Sequence, residues 1–88
     1  MKIQAEVSLY PLRTRSLAEP IHRFIHELRQ GNLEIEEGAM STRVSGDCQE
    51  LFHLLGRAFE NIAQTGELLL TAKVSNACPF SPHESEGS

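Results

Sequence analysis

The stretch Ile3-Gln4-Ala5-Glu6-Val7-Ser8-Leu9-Tyr10 decides the fold. Its apolar members, Ile3, Ala5, Val7 and Leu9, alternate with Gln4, Glu6, Ser8 and Tyr10, a period of two that gives each set its own side of a half-buried strand. Pro11, which cannot donate to a ladder, is expected to stop that strand. Just beyond it, Ser16-Leu17-Ala18-Glu19 has capping-box spacing, and Leu17, Ile21, Phe24, Ile25 and Leu28 form an apolar stripe. An amphipathic helix is therefore predicted over about 16–30, with Pro20 in the first turn and Gly31 placed to take a left-handed C-terminal position.

Leu33 and Ile35 alternate with Glu34 and Glu36, Glu37-Gly38 suggests a turn, and Ala39 to Ser45 alternates again with Met40, Thr42 and Val44 on one side. The pair reads as a hairpin. Asp47-Cys48-Gln49-Glu50 is a second capping box, followed by Leu51, Leu54, Leu55, Ala58, Phe59 and Ile62 at helical spacing until Gly66, which predicts a helix over about 47–65. Leu68 to Ser75 reads as the last strand. The order β-α-β-β-α-β is a ferredoxin-like α+β arrangement, an antiparallel four-stranded sheet with two helices on one face. Residues 1–79 are expected to form the single domain. The Ser/Pro/Glu/Gly composition of 80–88 is that of a flexible tail.

A chain of 88 residues with 40% apolar, 23% charged and only 6% aromatic residues is one small globular unit built on Leu, Ile, Val and Ala. So small a unit buries a limited share of its surface, and pairing with copies of itself is the expected supplement, as a homodimer or homotetramer. Twelve acidic residues against eight scattered basic ones, a net charge of -4, argue against nucleic acid as a partner. Cys48 and Cys78 form no C-x-x-C pair and no disulfide framework. With no apolar run long enough for a signal peptide or a membrane span, the chain reads as cytoplasmic, without membrane insertion.

The sheet face turned away from the helices carries the chemistry. With Val7, Leu9, Ile35, Val44, Leu70, Ala72 and Val74 turned toward the helices, the other face shows Glu6, Ser8, Tyr10, Ser41, Arg43, Thr71, Lys73 and Ser75. Charges on such a face are ordinarily only cross-strand ion pairs. Here they accompany short hydroxyl side chains and one aromatic ring, so a second subunit laid over them would leave a recess for a small heteroaromatic ligand.

Rival chemistries are less well furnished. His22 and His26 stand at i,i+4, with Glu27 or His53 as conceivable further ligands, but no third ligand has fixed spacing, and boundary histidines are the expectation. No metal or other cofactor is expected. Cys78 before Pro79 has no histidine at a spacing suited to an activated thiol. Arg13 and Arg15 follow the first strand without the glycines of a phosphate-cradling loop. An RNA-binding sheet would need more aromatic rings than Tyr10, and a metal chaperone would need paired cysteines. No enzymatic activity is expected.

Three strings, S-L-Y-P-L at Ser8 to Leu12, S-T-R-V-S-G-D at Ser41 to Asp47 and A-C-P at Ala77 to Pro79, occur in order in a β-α-β-β-α-β chain. Together they resemble the thiamine-binding YkoF-type proteins, over about residues 3–79. The resemblance implies a ferredoxin-like domain that associates through its sheets and binds thiamine or its hydroxymethylpyrimidine moiety without known chemistry on it. It implies ligand contact at Ser8, Tyr10, Pro11, Ser41, Thr42 and Cys78. Some members carry two repeats in one chain, and a homodimer or dimer of dimers would replace them here.

An aminopyrimidine suits this set, because serine hydroxyls pair with its amine or ring nitrogens in either sense and Glu6 accepts from the amine. Tyr10 is placed to stack on the ring. Arg43 and Lys73 put positive charge where a thiazolium would lie, which favours the pyrimidine moiety alone or another ligand. The expected function is binding for salvage, buffering or delivery. The alternative is a small assembly or regulatory module whose open sheet face serves only self-association.

Overall fold

The computed structural model describes residues 1–77. Strand β1 (Lys2–Leu12) leads to helix α1 (Ala18–Leu28), strands β2 (Glu34–Glu37) and β3 (Thr42–Asp47), helix α2 (Cys48–Ala63) and strand β4 (Glu67–Ser75). The strands lie in the order β2-β3-β1-β4, all pairs antiparallel. This is the ferredoxin-like α+β fold, with both helices on one face of the sheet.

Alternation in β1 sets the core. Ile3, Ala5 and Val7 are buried, with Val44 beside them, against Phe24 and Leu28 of α1 and Leu51, Leu54, Leu55, Ala58 and Ile62 of α2. These side chains, aliphatic apart from Phe24, form the apolar core whose burial orders the chain, with Leu9, Leu33, Ile35, Leu68 and Leu70 partly buried against it. At the start of α2 the Asp47 carboxylate accepts from the backbone N–H groups of Gln49 and Glu50, at 3.1 and 3.3 Å, as its cap position requires. Glu50 does not close the box; its carboxylate accepts instead from the Asn32 amide at 2.8 Å, tying the exit of α1 to α2.

Several local expectations are corrected. Pro11 does not end β1, which continues to Leu12 with Pro11 opposite Leu68. Pairing of β1 to β3 stops at Val7 opposite Thr42, so the later half of β1 has one open edge, where a missing N–H disrupts no ladder. Helix α1 begins at Ala18 after Leu17, with no side-chain cap; the Ser16 amide donates to Thr14 Oγ1 in the preceding turn. No glycine among the described residues has a positive φ, and the left-handed position falls on Arg13, whose φ is 53°. Gly31 instead serves close packing, since a Cβ there would stand 2.3 Å from Leu54 Cδ1. Strand β3 starts at Thr42 rather than Ala39; the 38–41 turn is closed by the Gly38 amide donating to the Ser41 carbonyl at 2.9 Å, leaving Met40 87% exposed. Ala72 and Val74 are exposed although they lie opposite the buried Val7 and Ala5, β4 being an edge strand of the sheet.

Candidate functional site

Register sorts the expected site residues into three places. Across the middle of the open face runs one row spanning all four strands, in which Glu36 of β2 is opposite Arg43 of β3, Arg43 is opposite Glu6 of β1, and Glu6 is opposite Lys73 of β4. Signs alternate along the row. Arg43 pairs outward with Glu36 at 2.8 Å, not inward, and the Glu6 carboxylate accepts from Ser41 Oγ at 3.0 Å. Lys73 forms no ion pair among the described residues.

Toward the hairpin end lie Ser8 opposite Thr71 and Tyr10 opposite Leu69. Tyr10 and Leu69, 47% and 52% exposed, form an apolar pair continued by Leu12 at 43%. Leu69 is a member of this face that sequence reading passed over. Ser75 stands far from both, opposite Gln4, and its hydroxyl accepts from the Ala77 amide at 3.0 Å in the turn that leaves β4. It lies four positions along β4 from Thr71, roughly 13 Å of strand. The ten expected residues therefore do not converge on one point, and Cys78 lies outside the described residues.

The third place is a cavity. Because β3 begins only opposite Val7, a gap opens between the later half of β1, the 38–41 turn and α1, with a volume of about 160 Å³. Its walls are apolar where Val7, Leu9, Ile21, Phe24 and Ile25 converge, and polar at the rim, where Ser8, His22, Glu37, Ser41 and Thr42 stand. Thr42 reaches it from the helix side of the sheet, being opposite the buried Val7, whereas Ser8 and Ser41 border it from the open-face side. Ser8 Oγ donates to the Met40 carbonyl at 3.3 Å, pinning the turn to β1. Three residues from two separated sequence strings thus meet at one opening. Sequence reasoning missed His22 and Glu37 as members, because the gap arises from unequal strand lengths that no local pattern announces.

Chemically, the cavity offers an apolar slot bordered by the Thr42 hydroxyl, by Ser8 and Ser41, whose O–H groups already donate to the Met40 carbonyl and the Glu6 carboxylate and whose oxygens can still accept, and by the Glu37 carboxylate, able to accept from an amine. About 150 Å³ of apolar cavity is enough to hold a single six-membered ring. Neither Ser8 nor Ser41 donates to an imidazole, so neither is arranged as a base-activated nucleophile. His26 Nε2 lies 3.3 Å from Gln30 Nε2, and among the described residues no group of three His, Cys, Asp or Glu side chains is gathered for a metal ion. No helix there is long and apolar enough to cross a membrane.

Comparison with known proteins bears on the fold and the family. Hypothetical protein MJ1052 from Methanocaldococcus jannascii superposes with a TM-score of 0.82 at 21% identity, over 98% of this chain and 94% of that one. Protein SP2199 from Streptococcus pneumoniae gives 0.83 at 20% identity, over 100% of both chains. TM0486 from Thermotoga maritima, provisionally assigned to thiamine biosynthesis or salvage, gives 0.82 at 17% identity, again over 100% of both. At these identities the likeness is one of fold. No curated protein matches the sequence. The model of the family described as thiamine-binding protein matches residues 5–76, from the first strand through the last. The chain belongs to the thiamine-binding protein family.

Proposed function

We propose that this protein binds thiamine or its hydroxymethylpyrimidine moiety without transforming it, for salvage, buffering or delivery in the cytoplasm. Residues 1–79 act as the binding unit and 80–88 stand outside it. The observation that carries the reading is the meeting of Ser8, Ser41 and Thr42 at one cavity of about 160 Å³, room for a single ring. The pyrimidine enters the slot between Leu9, Ile21 and Phe24, its amine directed at Glu37 and the serine oxygens, its ring nitrogens at the Thr42 hydroxyl. A thiazolium, when present, hangs from the ring methylene next to the amine and stays outside the slot, at its rim rather than on the open face.

A second copy covers that face. The row Glu36, Arg43, Glu6, Lys73 reads minus, plus, minus, plus, and its reversal reads plus, minus, plus, minus. A two-fold axis parallel to the strands, between β3 and β1, therefore sets every charge of one copy opposite its complement in the other. The chain gains in this way the cover that its open face alone lacks.

The exposed Tyr10, Leu12 and Leu69 favour one other reading, in which the face serves self-association only. Ser41→Trp separates the two. Ligand that binds the native state raises stability, by about 2.7 kcal/mol at a hundredfold excess over Kd. With Ser41→Trp, thermal stabilisation by hydroxymethylpyrimidine should vanish while helical circular dichroism persists. A variant that keeps the ligand shift and only changes its assembled mass supports the assembly module instead.

A further inference from the structure

Beside the ring cavity, on the outer side of α1, is a shallower recess of about 200 Å³ formed by His22, Ile25, His26, Arg29 and Glu37. It shares His22, Ile25 and Glu37 with the cavity, so a substituent leaving a ring in the slot on that side passes directly into it. Resting on the proposed ring-binding reading, we infer that this recess receives a phosphomonoester, and that the preferred ligand is a phosphorylated aminopyrimidine alcohol.

His22, His26 and Arg29 stand at i, i+4 and i+7 and share one face of the helix. The single acid among them, Glu37, already accepts from the Arg29 guanidinium at 2.6 Å. That contact uses one of five guanidinium N–H groups and leaves the others to meet phosphate oxygens. The Gln30 amide nitrogen donates to the His26 carbonyl at 3.1 Å and lies 3.3 Å from His26 Nε2. An amide nitrogen only donates, so in the neutral ring Nε2 is the acceptor and Nδ1 is left as the N–H donor. The last turn of α1 carries a partial negative charge that opposes an anion, so attraction must come from Arg29 rather than from the helix. A phosphoryl group competes with Glu37 for that guanidinium, while Glu37 turns to the ring amine it also borders.

Two variants outside the ring cavity provide the test, Arg29→Gln and His26→Asn. Calorimetry compares hydroxymethylpyrimidine, its phosphomonoester and inorganic phosphate on the intact chain. In the native protein the phosphomonoester should bind about tenfold tighter than the alcohol, the gain of one charge-assisted contact. Arg29→Gln should erase that gain, so that ester and alcohol bind alike; His26→Asn should reduce it. Equal affinity for alcohol and ester in the native protein overturns the inference while leaving the ring reading intact. Absence of binding by every ring ligand overturns that reading instead. Inorganic phosphate that binds as tightly as the ester also overturns the inference, since the recess would then act without the ring.

Discussion

Reversing charge on the open face tests how two copies would meet. In the native row the two-fold sets Glu36 against Lys73 and Arg43 against Glu6, each contact occurring twice. Glu6→Lys turns the two Arg43 contacts from attraction to repulsion. Close charge pairs on sheet surfaces are worth about 0.2–1 kcal/mol each, and a sign change counts twice, so two contacts cost about 0.8–4 kcal/mol of association. At 1.4 kcal/mol per tenfold, the dimer Kd rises by roughly fourfold to several hundredfold. Two double variants that keep the net charge at -4 sharpen the test. Glu6→Lys with Lys73→Glu restores a favourable pair within the sheet but leaves every charge facing its like across the two-fold. Arg43→Glu with Glu6→Lys loses the 2.8 Å pair to Glu36 inside the monomer yet keeps every facing pair complementary. Sedimentation equilibrium at low salt should therefore find the first largely dissociated and the second associated, the reverse of their order in monomer stability. Equal association of both with the native protein refutes the two-fold register.

Other outcomes follow from individual residues. Leu28→Ala, at a side chain with 0% exposure, should lower unfolding free energy by about 2–5 kcal/mol in urea titration with the slope unchanged. Thr42→Val should leave the fold intact and weaken hydroxymethylpyrimidine binding by about 1 kcal/mol, roughly fivefold, by calorimetry. The Asp47 carboxyl is held below its ordinary value, first by the Glu50 amide it accepts from, with the N-terminal ammonium and Gln49 amide also contributing. Its folded pKa being lower than its unfolded one, the contribution is complete above the ordinary value of 3.8 and lost as pH falls through the lowered one. Asp47→Asn, which preserves a capping oxygen, should flatten that part of the acid limb in urea midpoints measured from pH 6 to pH 2.

Element order and sheet faces were legible because they rest on local periodicity: Ile3, Ala5 and Val7 are buried, while Glu6 and Tyr10 face solvent. Cap chemistry was legible at Asp47, where the chain enters the helix extended, and misleading at Ser16, where the helix starts two residues later without a side-chain cap. The ring cavity was not legible as a shape. It exists because β1 outruns β3, a consequence of where the 38–41 turn closes, and spacing alone does not fix that. Motif strings nevertheless pointed to Ser8, Ser41 and Thr42, which do come together there, while Ser75 and Lys73, chosen for their face alone, are spread along β4. His22 and Glu37 belong to the rim through α1 and the end of β2, consecutive elements whose approach is set by packing of Ile25 and Phe24 on the core.

The most direct test is a calorimetric titration of the whole chain with hydroxymethylpyrimidine and with thiamine. Saturable heat with a stoichiometry of one ring per chain, lost on Ser41→Trp, is the predicted result. No heat from either ligand at millimolar concentration contradicts the account.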